Sequence, residues 1–219
     1  MTGVIDFKKT QRELYQPGGK PSVLEVPEMV FIMVDGQGDP NTSADYQNAV
    51  ELLYGLSYAI KMSKKGGTVP EGYYDFVVPP LEGLWQVGGG NGGGDFGKWD
   101  KSGFRWTSMI RQPEFVTPEV FAAAKAVLAR KKPGLDLAPA RLETYAEGLC
   151  AQVLHVGSYD EEPETINALF DFIAASGFRV DVSETRKHHE IYLGDPRKTA
   201  PEKLKTVIRY PIATAARAG

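Results

Sequence analysis

One order of expected elements, strand then helix then strand then strand, occurs twice along the 219 residues of this chain. In the first pass, residues 23–35 contain Val30-Phe-Ile-Met-Val34, a β-rich run bounded by Pro27 and by Asp35-Gly36, which reads as a buried strand ending in a turn. Asn41, Thr42 and Ser43 then offer helix caps, and Ala49, Leu52, Leu53, Leu56, Ala59 and Ile60 recur at helical spacing as far as Gly66-Gly67. Tyr46, Val50, Tyr54 and Tyr58 make a second stripe at steps of four. The helix is therefore apolar on more than one face and lies between a sheet and something else. Two strands are expected next, over residues 74–87 and 104–111. The connection between them, residues 88–103, has eight glycines in sixteen positions and reads as a long flexible hairpin loop.

Thr117-Pro118-Glu119 has the cap, first-turn proline and first-turn acid of a helix start, so a connecting helix is expected over residues 117–132, stopped by Pro133-Gly134. It separates a first unit, about 21–115, from a second, about 139–212. The second unit opens with strands at 141–145 and 149–156, joined by a tight turn at Glu147-Gly148. Pro163 begins a helix with Ile166, Leu169, Phe170 and Ile173 on one stripe. A strand around Glu190, a Gly-Asp-Pro turn and a closing strand at 204–212 complete the unit. The two units share element order and little literal sequence. The fold class is α+β, with residues 1–20 as a polar N-terminal arm and 213–219 as a tail.

Charge narrows the partners. Lys plus Arg number 25 against 28 Asp plus Glu, a net charge of -3, which offers no broad electrostatic footprint for nucleic acid or anionic membrane. No run approaches the roughly 18 apolar residues of a membrane span. The single cysteine, Cys150, cannot form an intrachain disulfide, and the first residues lack the apolar centre of a signal peptide. A cytoplasmic protein with no direct nucleic-acid or membrane contact is expected.

Several motifs fail on context. Gly88, Gly90 and Gly93 satisfy G-x-G-x-x-G, and residues 92–98 spell most of a phosphate-binding loop. However, Trp99 stands where a magnesium-binding hydroxyl belongs, and no apolar-periodic helix follows. Asp95-Phe96-Gly97 lacks the companion motifs of a kinase. His188 and His189, adjacent on a strand, point to opposite faces and cannot readily share a metal, so no metal or cofactor is expected. Cys150 reads as a small buried residue.

The strand around Glu190 carries more chemistry. On a period of two, His188, Glu190 and Tyr192 share one face while His189, Ile191 and Leu193 share the other. If the latter is core, a carboxylate sits amid aromatic rings. That arrangement suits a cationic or polarised aromatic ligand, or a general base whose pKa burial has raised. Trp85, Trp106, Tyr46, Tyr54 and Tyr58 supply further rings to line a pocket for a flat ligand. Glu82 and Trp85 are three apart and face opposite sides of a regular strand, so one of them lies outside the pocket unless a bulge at Gly83 intervenes.

The chain resembles the stand-alone GyrI-like small-molecule-binding proteins. The matching stretches are Val34-Asp-Gly-Gln-Gly-Asp-Pro-Asn41, Leu53-Tyr-Gly-Leu-Ser-Tyr-Ala-Ile-Lys-Met62, Pro80-Leu-Glu-Gly-Leu-Trp85, Met109-Ile-Arg-Gln-Pro113, Glu147-Gly-Leu-Cys150, His155-Val-Gly-Ser-Tyr-Asp-Glu-Glu-Pro163 and His188-His-Glu-Ile-Tyr-Leu-Gly-Asp-Pro-Arg197. They span roughly residues 20–212. The resemblance implies two βαββ repeats about a pseudo-twofold axis, an antiparallel sheet, and a ligand cleft between the repeats with Glu190 at its floor. Its branch without a DNA-binding domain includes cyclopropanoid cyclopropyl hydrolases, which open the strained ring of DNA-alkylating natural products. For ring opening of that kind we expect Glu190 to be the base that activates water, Tyr159 or Tyr58 to donate to the conjugated carbonyl, Trp85 and Trp106 to stack on the flat ligand, and Tyr46, Tyr54, Glu82, His155 and Tyr192 to complete the candidate ligand-binding residues. The alternatives are non-catalytic sequestration or sensing of aromatic drugs, with Glu190 as counter-charge, and surface inhibition of DNA gyrase.

Overall fold

The computed structural model describes residues 3–66, 69–86 and 103–215. In chain order its elements are α1 (Phe7–Thr10), α2 (Arg12–Tyr15), β1 (Ser22–Gln37), α3 (Ala44–Lys61), β2 (Leu81–Gln86), β3 (Arg105–Gln112), α4 (Pro118–Lys131), β4 (Arg141–Val156), α5 (Glu162–Ala175), β5 (Phe178–Val180), β6 (His188–Tyr192) and β7 (Lys205–Thr214). Among the described residues every pairing between these strands is antiparallel. The order β1-β3-β2-β6-β7-β4 returns to β1, closing a barrel-like sheet, and β5 extends the far end of β7. Strands β1-β3-β2 and β4-β7-β6 have the same internal order, and the two sets meet at β1–β4 and at β2–β6.

Alternation along each strand sorts the side chains into an interior and an outer face. Inside lie Phe31, Met33, Leu84, Met109, Cys150, Ile191 and Val207. Outside, Ile32, Val34 and Ile110 pack under Leu52, Leu53, Leu56 and Ile60 of α3, with Leu128 of α4 behind them. On the other side Val153, Ile208 and Ile212 pack under Ile166, Leu169 and Ile173 of α5. Each such leucine or isoleucine contributes roughly 1.5–3 kcal/mol by leaving water. Ser43 caps α3 through the backbone N–H of Tyr46, and Thr117 caps α4, as their sequences suggest. The second stripe on α3, with Tyr46, Tyr54 and Tyr58, is left facing the gap between α3 and α5.

Three expectations change. Residues 7–15, read as part of a polar arm, form two short helices whose Phe7, Leu14 and Tyr15 are buried against one end of the barrel interior. The segment is fastened by backbone acceptors: Arg209 donates to the Leu14 carbonyl at 2.8 Å and Gln152 to the Glu13 carbonyl at 2.6 Å. The strand expected from residue 74 begins only at Leu81, because Pro79-Pro80 cannot join a ladder; before it, Phe76 makes a single parallel bridge to Ile5. Finally, residues 141–156 are one strand with no turn at Glu147-Gly148. The equally long β1 pairs along it from Ser22↔Gln152 to Met33↔Arg141, and Gly148 takes φ +69 within the ladder. Residues 88–102, most of the glycine-rich connection, lie outside the described residues, as does the tail from 216 onward.

Candidate functional site

The gap between α3 and α5 opens over the outer face of β2 and β6 and forms a cleft of about 1720 Å³. Tyr46, Tyr54 and Tyr58 of α3 wall one side, and Tyr159, Glu162 and Ile166 the other. Trp85, Glu190 and Tyr192 form the floor. Alternation on β6 puts Glu190 outward between His188 and Tyr192, and the ladder sets Gly83 of β2 directly opposite it.

Glu190 is held from both sides. His188 Nε2 lies 2.8 Å from Oε1, and the Tyr192 hydroxyl donates to Oε2 at 2.6 Å. Trp85 Nε1 in turn donates to the Tyr192 hydroxyl at 2.9 Å. An indole N–H can only donate, so it fixes the direction of the chain: Tyr192 accepts from Trp85 and spends its own proton on Glu190. Burial pushes the Glu190 pKa up, but the hydrogen bond and charge of His188, together with the Tyr192 hydroxyl, outweigh it and hold the carboxyl below its ordinary value. The expectation of a base strengthened by burial is thereby corrected. Glu190 is an ionised acceptor with two fixed donors, and its remaining lone pairs are available to a water or a donor group in the cleft. Burial and the charges of Glu162 and Glu190 raise the Tyr159 hydroxyl to about 12, so it stays protonated and can donate. Tyr46 is raised by burial and by Glu190 in the same way.

A family model described as the GyrI-like small molecule binding domain matches residues 114–213. A solved structure described as a hydrolase from Listeria innocua is 47% identical, covers 95% of this chain and 100% of its own, and superposes with a TM-score of 0.87. The chain belongs to the GyrI-like family. An uncharacterized conserved protein from Listeria innocua, 49% identical with the same coverage of both chains, has a TM-score of 0.89. The C-terminal domain of EcmrR, 13% identical over 90% of this chain and 98% of its own with a TM-score of 0.52, shares the fold. A search of curated proteins returned no match.

Within this GyrI-like fold the expected site residues separate. Glu190, Tyr192, Trp85, Tyr46, Tyr54, Tyr58 and Tyr159 all line the cleft. Trp85 is already packed against Tyr46 and Phe104, and Tyr58 stacks on Tyr54 at the rim. Glu82 does not reach the cleft. It points into the barrel, 1% exposed, where it accepts from Tyr15 at 3.4 Å and lies 3.0 Å from His189. The ladder runs through Gly83 without a bulge, so parity decides that Trp85 faces the cleft and Glu82 does not. Trp106 is on the cleft side but is covered by the edge of Tyr46, 5.0 Å between ring centroids, and is 2% exposed. His155 is buried behind the site, its Nε2 3.0 Å from the Ser158 carbonyl and its Nδ1 2.8 Å from the Thr165 hydroxyl. Among the lining residues not named as site residues from the sequence are His188, Tyr210 and Glu162. His188 shares the parity of Glu190 and could have been found by it, and its ring stacks on Tyr210 at 4.3 Å.

Among the described residues no helix is long and apolar enough to cross a membrane, and no group of three or more His, Cys, Asp or Glu is placed to hold a metal.

Proposed function

We propose that this protein is a hydrolase that opens the cyclopropane of flat, DNA-alkylating cyclopropanoid compounds by adding water, and so protects its host from them. The observation that carries the reading is the Glu190 carboxylate, ionised, held by two fixed donors and set at the floor of an aromatic cleft. Glu190 accepts a hydrogen bond from water and takes its proton as the water oxygen bonds to the least hindered ring carbon. The strained C–C bond breaks, and its electron pair passes through the conjugated system to the carbonyl oxygen, which becomes a phenolate. The Tyr159 hydroxyl, or Tyr58 from the rim, donates to that oxygen. The proton on Glu190 then returns to solvent. Because Glu190 is a weakened base, its main task is to orient and polarise water, with strain release supplying the driving force. The 47% identical relative described as a hydrolase supports a catalytic reading. The matching strand orders β1-β3-β2 and β4-β7-β6 support reading the barrel as two βαββ units, with the cleft at their β2–β6 junction.

The test is incubation with a spirocyclopropyl indole alkylator followed by mass spectrometry of the small molecule. Wild type should yield a product heavier by one water, and Glu190→Gln should slow its formation by about a hundredfold or more. Full turnover by that variant would refute Glu190 as the base. A second reading, drug sequestration or sensing with Glu190 only as counter-charge, is favoured by the lowered basicity of Glu190. An unchanged ligand that co-purifies with the protein would select it.

A further inference from the structure

The cleft that holds Glu190 also holds a hydroxyl whose acidity the proposed reaction uses only in part. Tyr159 lines the α5 side, and its ring meets Tyr192, the donor to Glu190, edge-on with 6.0 Å between centroids. The turn that carries it is fixed, because Glu161 accepts from the Ser158 N–H at 2.8 Å and from the Ser158 hydroxyl at 2.9 Å. Among the described residues the Tyr159 hydroxyl makes no hydrogen bond, so its proton is available to whatever the cleft binds. Burial, followed by the charges of Glu162 and Glu190, raises that hydroxyl to about 12. An acid of that strength hydrogen-bonds a phenolate, whose conjugate acid lies at about 10, without giving up its proton. An aliphatic alkoxide is about as basic as hydroxide, whose conjugate acid lies at roughly 16, and takes the proton outright. An ionised carboxylate that holds water, paired with an unspent hydroxyl of this kind, therefore suits a strained ring whose leaving atom is oxygen.

We propose a second activity for this cleft, the hydration of flat aryl epoxides to vicinal diols, with Glu190 activating the water and Tyr159 as the catalytic acid. It rests on Glu190 as the residue that activates water in the proposed function, and extends that chemistry to another class of strained ring. Glu190 takes a proton from water as the water oxygen bonds to one epoxide carbon. The C–O bond at that carbon breaks and its electron pair stays on the epoxide oxygen. That oxygen takes the Tyr159 proton and becomes the second hydroxyl of the diol. The proton on Glu190 passes through solvent to the Tyr159 oxyanion, so both groups are restored and only water is consumed. Trp85, Tyr46 and Tyr54 in the lining hold the flat aromatic part of the substrate.

The test is incubation of the full chain with 2-naphthyloxirane in ¹⁸O-labelled water, followed by mass spectrometry of the small molecule, beside the same assay with the spirocyclopropyl indole alkylator. Wild type should form the naphthyl diol, carrying one labelled oxygen, faster than the protein-free solution does. Glu190→Gln should slow diol formation by about a hundredfold or more. Tyr159→Phe should lower kcat for the epoxide by about a hundredfold, because proton transfer is lost. The same variant should lower kcat for the cyclopropane by about tenfold or less, because only a hydrogen bond is lost there. A folding defect or a merely structural role would lower both equally, and an equal loss would overturn Tyr159 as the acid. Cyclopropane opening without diol formation above the protein-free rate would overturn the epoxide activity and leave the proposed function standing. Diol formation without cyclopropane opening would support the epoxide activity and remove the cyclopropane as substrate, and inertness toward both rings would overturn both.

Discussion

A Cβ at position 83 would stand 2.7 Å from the Trp85 indole nitrogen and 3.2 Å from the Tyr192 hydroxyl. Real side chains do not tolerate the first contact, so the indole folds back over residue 83 only because that residue is glycine. Gly83 thus lets Trp85 reach Tyr192 and set the direction of the donors that converge on Glu190. Gly83→Ala should displace the indole, free the Tyr192 hydroxyl to turn elsewhere and leave Glu190 with one firm donor. We expect affinity for an aromatic cation to fall about three- to tenfold, and stability by about 1–3 kcal/mol from overpacking. Trp85→Phe removes the same hydrogen bond without the clash and should reproduce the affinity loss with a different stability cost. Parallel ligand titrations and thermal melts of both variants would check this, and an unchanged affinity in both would show that the chain of donors does not matter to the ligand.

At the scale of elements, the turn at Tyr159–Glu161 shows how a residue outside the cleft governs one inside it. The Ser158 carbonyl can only accept, so His155 Nε2 must donate to it, while Nδ1 bonds the Thr165 hydroxyl. With the Ser158–Glu161 capping box, this fixes the turn that presents Tyr159 and starts α5. His155→Ala should weaken ligand binding as much as Tyr159→Phe does, and the double variant should be no worse than His155→Ala alone. Multiplying effects in that double-mutant cycle would separate the two residues. The elements themselves were largely legible where periodicity is local. Both stripes of α3 could be read, one becoming core and the other the cleft wall, and the parity of β6 put Glu190 and Tyr192 on one face. What escaped depends on distant partners. Phe7, Leu14 and Tyr15 are interrupted by charged residues and become core only because the closed sheet offers an end to fill. The continuity of β4 through Gly148 is imposed by β1. Glu162 had no signal beyond a helix start, since its burial follows from where α5 lands against Tyr192 and Tyr210.

For the whole molecule, the barrel interior combines apolar filling with a buried ionic network. Glu147 on β4 accepts from Arg209 on β7 at 2.7 Å and lies 2.8 Å from His189 on β6, whose other ring nitrogen lies 3.0 Å from Glu82 on β2. The network thus crosslinks four strands of the ring and, through Tyr15 and Arg209, holds the N-terminal segment. Burial alone would lower the His189 pKa, but the Glu147 and Glu82 carboxylates outweigh it and raise it from 6.5 to about 9. Its contribution to stability is therefore whole below about 6.5 and is lost as pH rises through about 9. Glu147 behaves oppositely. Burial pushes it up, the charges of His189 and Arg209 outweigh burial, and the value falls from 4.5 to about 2, so its contribution is whole above about 4.5 and is lost as pH falls toward about 2. Both contributions are complete only between about 4.5 and 6.5, and the melting temperature should decline on the alkaline side of that window well before lysines or tyrosines titrate in bulk. His189→Gln keeps a hydrogen-bonding side chain but leaves two buried carboxylates facing one guanidinium. It should lose about 3–5 kcal/mol at pH 6 and flatten the decline between pH 7 and 9. Thermal denaturation followed by circular dichroism from pH 4 to 10 measures both effects. An alkaline decline that persists unchanged in His189→Gln would show that the network does not set the pH range in which this barrel stays closed.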